Sequence, residues 1–211
     1  MTAGAGSSRF LAPLVLLIVT FLAGCATSTY TEAPSEDRRM GDWKSQQARL
    51  EALTSFKASG KVGIRTPEQS ESANLDWIQS PERYRLSVSG PWGAARNTLE
   101  GGPDGVTLAN GDGTFEAATP EALMRQQLGW SLPISSLDRW VRGLPAPDRT
   151  FDMQRDDRGF PAVLEQNGWH IEYRDWSLAD GLWLPRRMVM TYDDIRTTLI
   201  IHRWQPGQAF S

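Results

Sequence analysis

Three separated runs of this chain alternate apolar and polar residues with a period of two, and that spacing points to one backbone form. In "SANLDWIQ", Ala73, Leu75 and Trp77 fall on one face while Asn74 and Asp76 fall on the other. In "RYRLSV", Tyr84, Leu86 and Val88 oppose Arg83, Arg85 and Ser87, and in "WHIEYRD", Trp169, Ile171 and Tyr173 oppose His170, Glu172 and Arg174. Successive side chains of a strand point to opposite faces, so each run predicts a strand with one buried face. Segments 58–65, 94–100, 105–110, 113–118, 150–155, 160–166, 182–192 and 195–204 carry further β signals. Turn sequences separate many of them: "GGPDG" at 101–105, "NGDG" at 110–113 and "NG" at 167–168. Short strands joined this closely predict a mainly β fold, a meandering antiparallel sheet curled toward a barrel. Neither an internal repeat nor a second folded domain is visible.

One helical pattern precedes the β signals and one helical insertion interrupts them. "WKSQQARLEALTSF" has apolar residues at 43, 50, 53 and 56 with good helix formers between them, which predicts a helix over 43–56 covering an open face. "TPEALMRQQLG" offers Thr119 as N-cap, Pro120 at the first helical position and Gly129 as a stop. "SSLDRWVRG" repeats the design, with Ser135 as the expected N-cap, Asp138 three residues on and Gly143 at the end. Leu123, Met124, Leu128, Trp130, Leu132, Leu137, Trp140 and Val141 give this segment more apolar surface than a solvated loop would expose. It is expected to be a helical lid over the mouth of the curved sheet.

The N-terminus has a different logic. Arg9 precedes the apolar run "FLAPLVLLIVTFLAG" (10–24), too short and too abruptly ended for a transmembrane helix, and it fits an export signal over residues 1–24. The run closes on "LAGC", which resembles the lipobox of bacterial lipoprotein precursors. That resemblance implies a diacylglyceryl group and an N-acyl chain on Cys25 and no other cofactor. Cys25 is the one cysteine of the sequence, which rules out an intrachain disulfide. Ala26 rather than Asp follows it, which by analogy with enterobacterial sorting permits the outer membrane.

Residues 25–42, "CATSTYTEAPSEDRRMGD", are polar and read as a flexible tether. Their reach is at most about 60 Å and on average about 20–25 Å. Residues 43–211 then form the folded domain. Of 22 Lys and Arg only Arg9 precedes Cys25, and all 25 Asp and Glu follow it, so the processed chain carries a net charge of about −4. No half of it is strongly basic, which argues against a nucleic-acid partner.

Candidate catalytic machinery is missing from the sequence. Neither of its two histidines, His170 and His202, has a Cys or His at metal-ligand spacing. There is no G-x-S-x-G, no Gly-rich phosphate loop and no nucleophilic cysteine once Cys25 is lipidated. What abounds is broad apolar surface on the inward faces: Leu75, Trp77, Tyr84, Leu86, Trp169, Ile171, Tyr173, Met188 and Met190. A packed core is one reading of that surface. A cavity is the other, because a half-barrel of eleven strands is too wide for its own side chains to fill easily. Broad aromatics and adaptable methionines also suit hydrocarbon chains that present no hydrogen bonds. The turn "GPWG" (90–93) adds an anomaly: Trp92 occupies a tip where small polar residues are usual.

"GWSLPISSLDRWVRGLPAP" (129–147), together with "GPWG", "LDWIQ", "ERYRL" and "QNGWHIEY", resembles the LolB family of outer-membrane lipoprotein receptors over about 50–204. The resemblance implies an incomplete antiparallel β-barrel of about eleven strands, lidded by helices and enclosing an acyl-binding cavity. It implies a receptor that accepts lipoproteins from the periplasmic carrier LolA and places them in the inner leaflet of the outer membrane, facing the periplasm, without nucleotide hydrolysis. On this reading Leu75, Trp77, Tyr84, Leu86, Leu128, Trp130, Trp140, Trp169, Ile171, Met188 and Met190 line the cavity of a monomer that is not an enzyme. The family usually carries leucine in a Pro-Leu-Gly loop where this chain has Trp92, which would then be the membrane-contacting residue; the other reading of Trp92 is that it folds back over its own hairpin. Two other readings stay open: an assembly lipoprotein with a solid core and a protein-binding surface, and a lipid-modifying enzyme.

Overall fold

A computed structural model of the chain describes residues 38–39, 41–90, 96–128, 131–147 and 149–210. Cys25, Trp92, Trp130 and nearly all of the tether lie outside the described residues. The elements in chain order are α1 (Asp42–Ala52), β1 (Phe56–Arg65), β2 (Ser70–Gln79), β3 (Tyr84–Ser89), β4 (Asn97–Gly102), β5 (Gly105–Asn110) and β6 (Gly113–Ala117). They continue with α2 (Pro120–Leu128), α3 (Ile134–Trp140), β7 (Phe151–Arg155), β8 (Pro161–Gln166), β9 (Trp169–Ala179), β10 (Leu182–Tyr192) and β11 (Ile195–Pro206).

All eleven strands form one antiparallel sheet in the order β6-β5-β4-β3-β2-β1-β11-β10-β9-β8-β7. Two meanders run outward from a central seam in which β1 pairs with β11, from Phe56 opposite Pro206 to Arg65 opposite Arg196. The sheet does not close, since β6 and β7 are its two edges. The chain between them carries α2 and α3, so the helical segment is also the link from one edge to the other. Alternation holds along the strands: Leu75 and Trp77 are buried while Asn74 and Asp76 are exposed.

Two local expectations are corrected. The first helix ends at Ala52, not at 56, and Phe56 opens β1. There its ring stands edge-on between Trp77 and Trp204, with centroids 5.3 Å from each, a packing that continued helix would forfeit. Gln46, a polar residue on the buried face of α1, accepts from the Trp183 N–H at 2.6 Å and donates to the Trp183 carbonyl at 3.1 Å, tying the helix to β10. Ser135 is not an N-cap, because α3 begins at Ile134 behind Pro133. The Ser135 N–H and hydroxyl instead donate to the Glu121 carboxylate at 2.9 and 3.2 Å, joining α3 to α2. Thr119 does cap α2, its hydroxyl accepting from the Ala122 N–H at 3.2 Å.

Gly143 shows why a glycine follows α3. It sits at φ +76°, and a Cβ there would lie 2.7 Å from the Trp43 ring and 2.9 Å from the Trp176 ring. Both the left-handed backbone and the close approach of two indoles require the missing side chain. The end of α3 is thereby seated on the aromatic cluster of Trp43, Phe160 and Trp176, whose centroids are 5.1–5.7 Å apart.

Candidate functional site

The space between sheet and helices is of two kinds. Under β8–β10 it is solid. Trp140, Phe160, Leu164, Ile171 and Leu184 are completely buried there. The Trp140 indole N–H donates to the Gln166 side-chain carbonyl at 2.8 Å, and the Tyr173 hydroxyl donates to the Trp140 carbonyl at 2.9 Å, whereas the buried Trp43 indole N–H beside Phe160 has no partner among the described residues. Gln166 also bridges the main chain of Ala146, with bonds of 2.8 and 2.9 Å. This buried amide thus fixes the loop after α3. Burial alone raises Tyr173 far above the ordinary tyrosine pKa, so it stays a neutral hydroxyl.

On the other side of the seam the interior is a void. A cavity of about 400 Å³ lies between β1–β5, the inner faces of β10 and β11, and helices α2 and α3. Its wall is nearly all hydrocarbon: Leu75, Trp77, Leu86, Leu99 and Leu108 from the sheet, and Met124, Leu132, Ile134 and Leu137 from the helical segment. A cavity of roughly 150 Å³ accepts benzene. Scaled by volume, this one has room for roughly sixteen carbons in line, the size of one acyl chain.

The strand register shows where the cavity opens. Directly paired residues share a face, so the inward rows across the sheet read off the ladders. The outermost row shared by β1 and β2 is Glu71 and Ile64, continued by Thr197 and Met190, with Ile195 and Tyr192 one row further out on β11 and β10; the next row inward is Ala73, Val62, Leu199 and Met188. Deeper in lie Trp77, Leu86, Leu99 and Leu108. Exposed Glu71 and Ser72 line the cavity at the shallow end, as do Gly90 and Asn97. In sequence, Trp92 falls between these two rim residues, Gly90 and Asn97, and lies outside the described residues. The polar residues of the lining collect at the mouth, and the hydrocarbon lies beyond them.

Of the residues expected at a cavity, Leu75, Trp77, Leu86 and Met190 line this one. Trp140, Trp169, Ile171 and Met188 do not: they are buried in the solid half or along its border, as is Tyr173. Period two assigns them to the inner face but not to the half of the interior that is empty. Tyr84 lies at the opposite end from the mouth, its ring over Gly101 of β4, where a Cβ would collide with it. Burial raises its pKa beyond the ordinary tyrosine range, with Glu121 adding to the shift. Leu128 closes α2, and Trp130 lies outside the described residues. Sequence reasoning missed the contribution of β1, Val62 and Ile64. Its run "KVGIR" does place Val62 and Ile64 at alternate positions, a signal weakened by the glycines around them.

The lid is also tied to α1. Arg142, only 4% exposed, donates from Nη1 to the carbonyls of Leu50 and Leu53 at 2.9 and 2.7 Å, joining it to the C-terminal end of α1. Its Nε reaches the Asp138 carbonyl at 2.8 Å and its Nη2 the Asp138 carboxylate at 3.0 Å. Burial lowers the Arg142 pKa against the pull of Asp138. It raises that of Asp138 although Arg142 and Arg139 oppose the shift.

Among the described residues no group of three or more His, Cys, Asp or Glu is placed to hold a metal ion. No described helix is long and apolar enough to cross a membrane.

Comparison with known proteins agrees with this geometry. The family model for outer membrane lipoprotein LolB matches residues 54–204. The outer-membrane lipoprotein LolB of Chromohalobacter salexigens is 57% identical over 192 residues, covering 91% of this chain and 89% of that protein. The one from Pseudomonas savastanoi pv. phaseolicola is 41% identical, covering 92% and 95%. Among solved structures, a DUF1329 family protein from Desulfovibrio piger has the same fold at TM-score 0.51 and 6% identity, covering 81% of this chain and 92% of that one. The chain belongs to the LolB family of outer-membrane lipoproteins.

Proposed function

We propose that this protein is the outer-membrane receptor that takes lipoproteins by their acyl chains from the periplasmic carrier LolA and delivers them to the membrane that holds it. The observation that carries the proposal is the apolar cavity of about 400 Å³, whose mouth includes the residues at either end of the segment bearing Trp92. Burying hydrocarbon there yields about 0.8 kcal/mol per methylene, so affinity for the acyl chain needs no specific polar contact. Transfer from the carrier runs without nucleotide hydrolysis if this cavity holds the chain more tightly, and a tenfold preference corresponds to about 1.4 kcal/mol. The receptor acts as a monomer, and its own lipids on Cys25 keep it at the bilayer. The chemistry is binding and release, with no bond made or broken.

Trp92 is assigned to the last step. An indole settles at the membrane interface, where ring and N–H are both accommodated, and its burial contributes about 2–3 kcal/mol. That is enough for transient contact at the moment of delivery. In a reconstituted assay that measures receptor-bound cargo and liposome-inserted cargo separately, Trp92→Glu is expected to accept cargo normally and to insert it at least tenfold more slowly. Trp92→Leu is expected to match the unaltered protein, with Trp92→Ala between. Insertion by Trp92→Glu at the unaltered rate would remove Trp92 from the mechanism.

The anchor is tested apart from the cavity. Cys25→Ala is expected to abolish incorporation of labelled palmitate and to lose outer-membrane fractionation. Unchanged labelling and fractionation would overturn the lipobox reading.

A further inference from the structure

Thr197 combines two properties that conflict. It is 1% exposed, and its hydroxyl has no hydrogen-bond partner among the described residues. An unsatisfied hydroxyl is costly in a fold, and valine would have the same shape without that penalty. Yet Thr197 stands in the wall of the acyl cavity, on the inner face of β11, between Ile64 of β1 and Met190 of β10. The neighbouring inward position on β11, two residues along, is Leu199, so the hydroxyl interrupts an otherwise apolar wall.

Its depth is informative. Thr197 belongs to the row that ends at Glu71 on the rim, one row inside Ile195 and one row outside Leu199. A hydrocarbon chain that enters tail first reaches toward Trp77 and Leu108 and leaves its head near the row of Glu71 and Thr197. In an acylated protein N-terminus the head of each hydrocarbon chain is a carbonyl, of an ester or of an amide. A carbonyl oxygen accepts and a threonine hydroxyl donates. A turn about χ1 exchanges the methyl and hydroxyl of threonine, so the hydroxyl reaches the cavity by a rotamer change alone.

We propose that the Thr197 hydroxyl is the hydrogen-bond donor by which the cavity recognises the ester or amide carbonyl of an acyl chain, setting how deep the chain sits and distinguishing acyl groups from plain hydrocarbon. The inference rests on the acyl-binding reading of the cavity. A carbonyl at this depth gives the hydroxyl the partner that the protein itself does not supply, and the bond forms in a low-dielectric site.

The test is competition of methyl palmitate and heptadecane against a bound fluorescent fatty acid, on the full-length protein and its variants. The unaltered protein is expected to prefer the ester. Thr197→Val is expected to lose that preference about three- to tenfold, the worth of one neutral hydrogen bond, while binding heptadecane as well or better. Its thermal midpoint without ligand is expected to be no lower. Thr197→Ser, which keeps the hydroxyl, is expected to retain the preference. An ester-to-alkane ratio unchanged in Thr197→Val, or lost equally in Thr197→Ser, overturns the role of Thr197 while leaving the cavity intact. Failure of both ligands to displace the probe from the unaltered protein overturns acyl binding itself.

Discussion

Arg142→Met is expected to destabilise the protein by about 3–5 kcal/mol, the usual consequence of removing one partner of a buried charge pair. The substitution keeps most of the aliphatic stem and deletes four hydrogen bonds at once. The Leu53 carbonyl loses its Arg142 donor, the Leu50 carbonyl keeps only the Leu53 N–H at 3.3 Å, and Asp138 loses that cation. At about 2–4 °C per kcal/mol for a domain of this size, the thermal midpoint is expected to fall by roughly 10 °C or more. Arg142→Lys is expected to recover only part of the loss, because one ammonium cannot span both helix ends as the planar fork does. The pH dependence supplies a second signature. Asp138 already has a pKa raised in the fold, so its contribution to stability is present below its unfolded pKa and is lost as pH rises through the folded one. Without Arg142 that pKa rises further, and the deficit of Arg142→Met is expected to grow from acid to neutral pH. Calorimetric unfolding between about pH 4 and pH 8 measures it. A midpoint within a degree or two of the unaltered protein would show that α1 and α3 are held together by packing alone.

Leu86→Glu and Ile171→Glu are expected to part company, although both replace a buried apolar residue on the inner face of the same sheet. Ile171 is completely buried in the solid half, between Leu164 of β8 and Met190 of β10. A carboxylate there has neither water nor partner, and the cost exceeds the roughly 5–15 kcal/mol that holds a typical domain together. Ile171→Glu is expected not to fold. Leu86 is 8% exposed and borders the void, where a glutamate can keep part of its hydration. Its loss of apolar burial, about 2 kcal/mol, is expected to lower the midpoint by roughly 4–8 °C. Uptake of a fluorescent fatty acid is expected to weaken by about a hundredfold, equivalent to about 2.7 kcal/mol, since the hydrocarbon must displace the water that the carboxylate holds. Unfolding and probe uptake measured on the same samples decide the matter. Should Leu86→Glu unfold as completely as Ile171→Glu, the space beneath α2 and α3 is core rather than binding site.

The division of the interior gives the receptor two kinds of part. The half under β8–β10 is packed, hydrogen-bonded through Gln166 and held to α1 through Arg142. The half under β1–β5 holds the cavity. A cavity that must stay open when empty needs walls that do not collapse, and the solid half with its pinned helix is what keeps α3 from sinking onto Leu86 and Leu99.

Much of the fold is legible in the residues themselves. Period two places the inward faces of β2, β3 and β9. Thr119 marks the start of α2, and Gly143 the turn after α3. The run from Gly129 to Pro147, together with "GPWG", "LDWIQ", "ERYRL" and "QNGWHIEY", carries the family resemblance. These are local properties, set by the backbone within a few residues. What the sequence does not decide is what faces a residue across the molecule. Phe56 continues a helical pattern in sequence, yet belongs to β1 because Trp77 and Trp204 stand on either side of it. Ser135 has the residues of a cap, yet Glu121 of another helix takes its hydrogen bonds. The seam between β1 and β11 pairs Phe56 with Pro206, a contact no local spacing encodes. Trp77 and Ile171 are equally apolar and equally inward. Only the arrangement of β1–β5 under α2 and α3 puts the first against a void and the second in a solid core, because burial is fixed by the wall opposite and not by the strand itself.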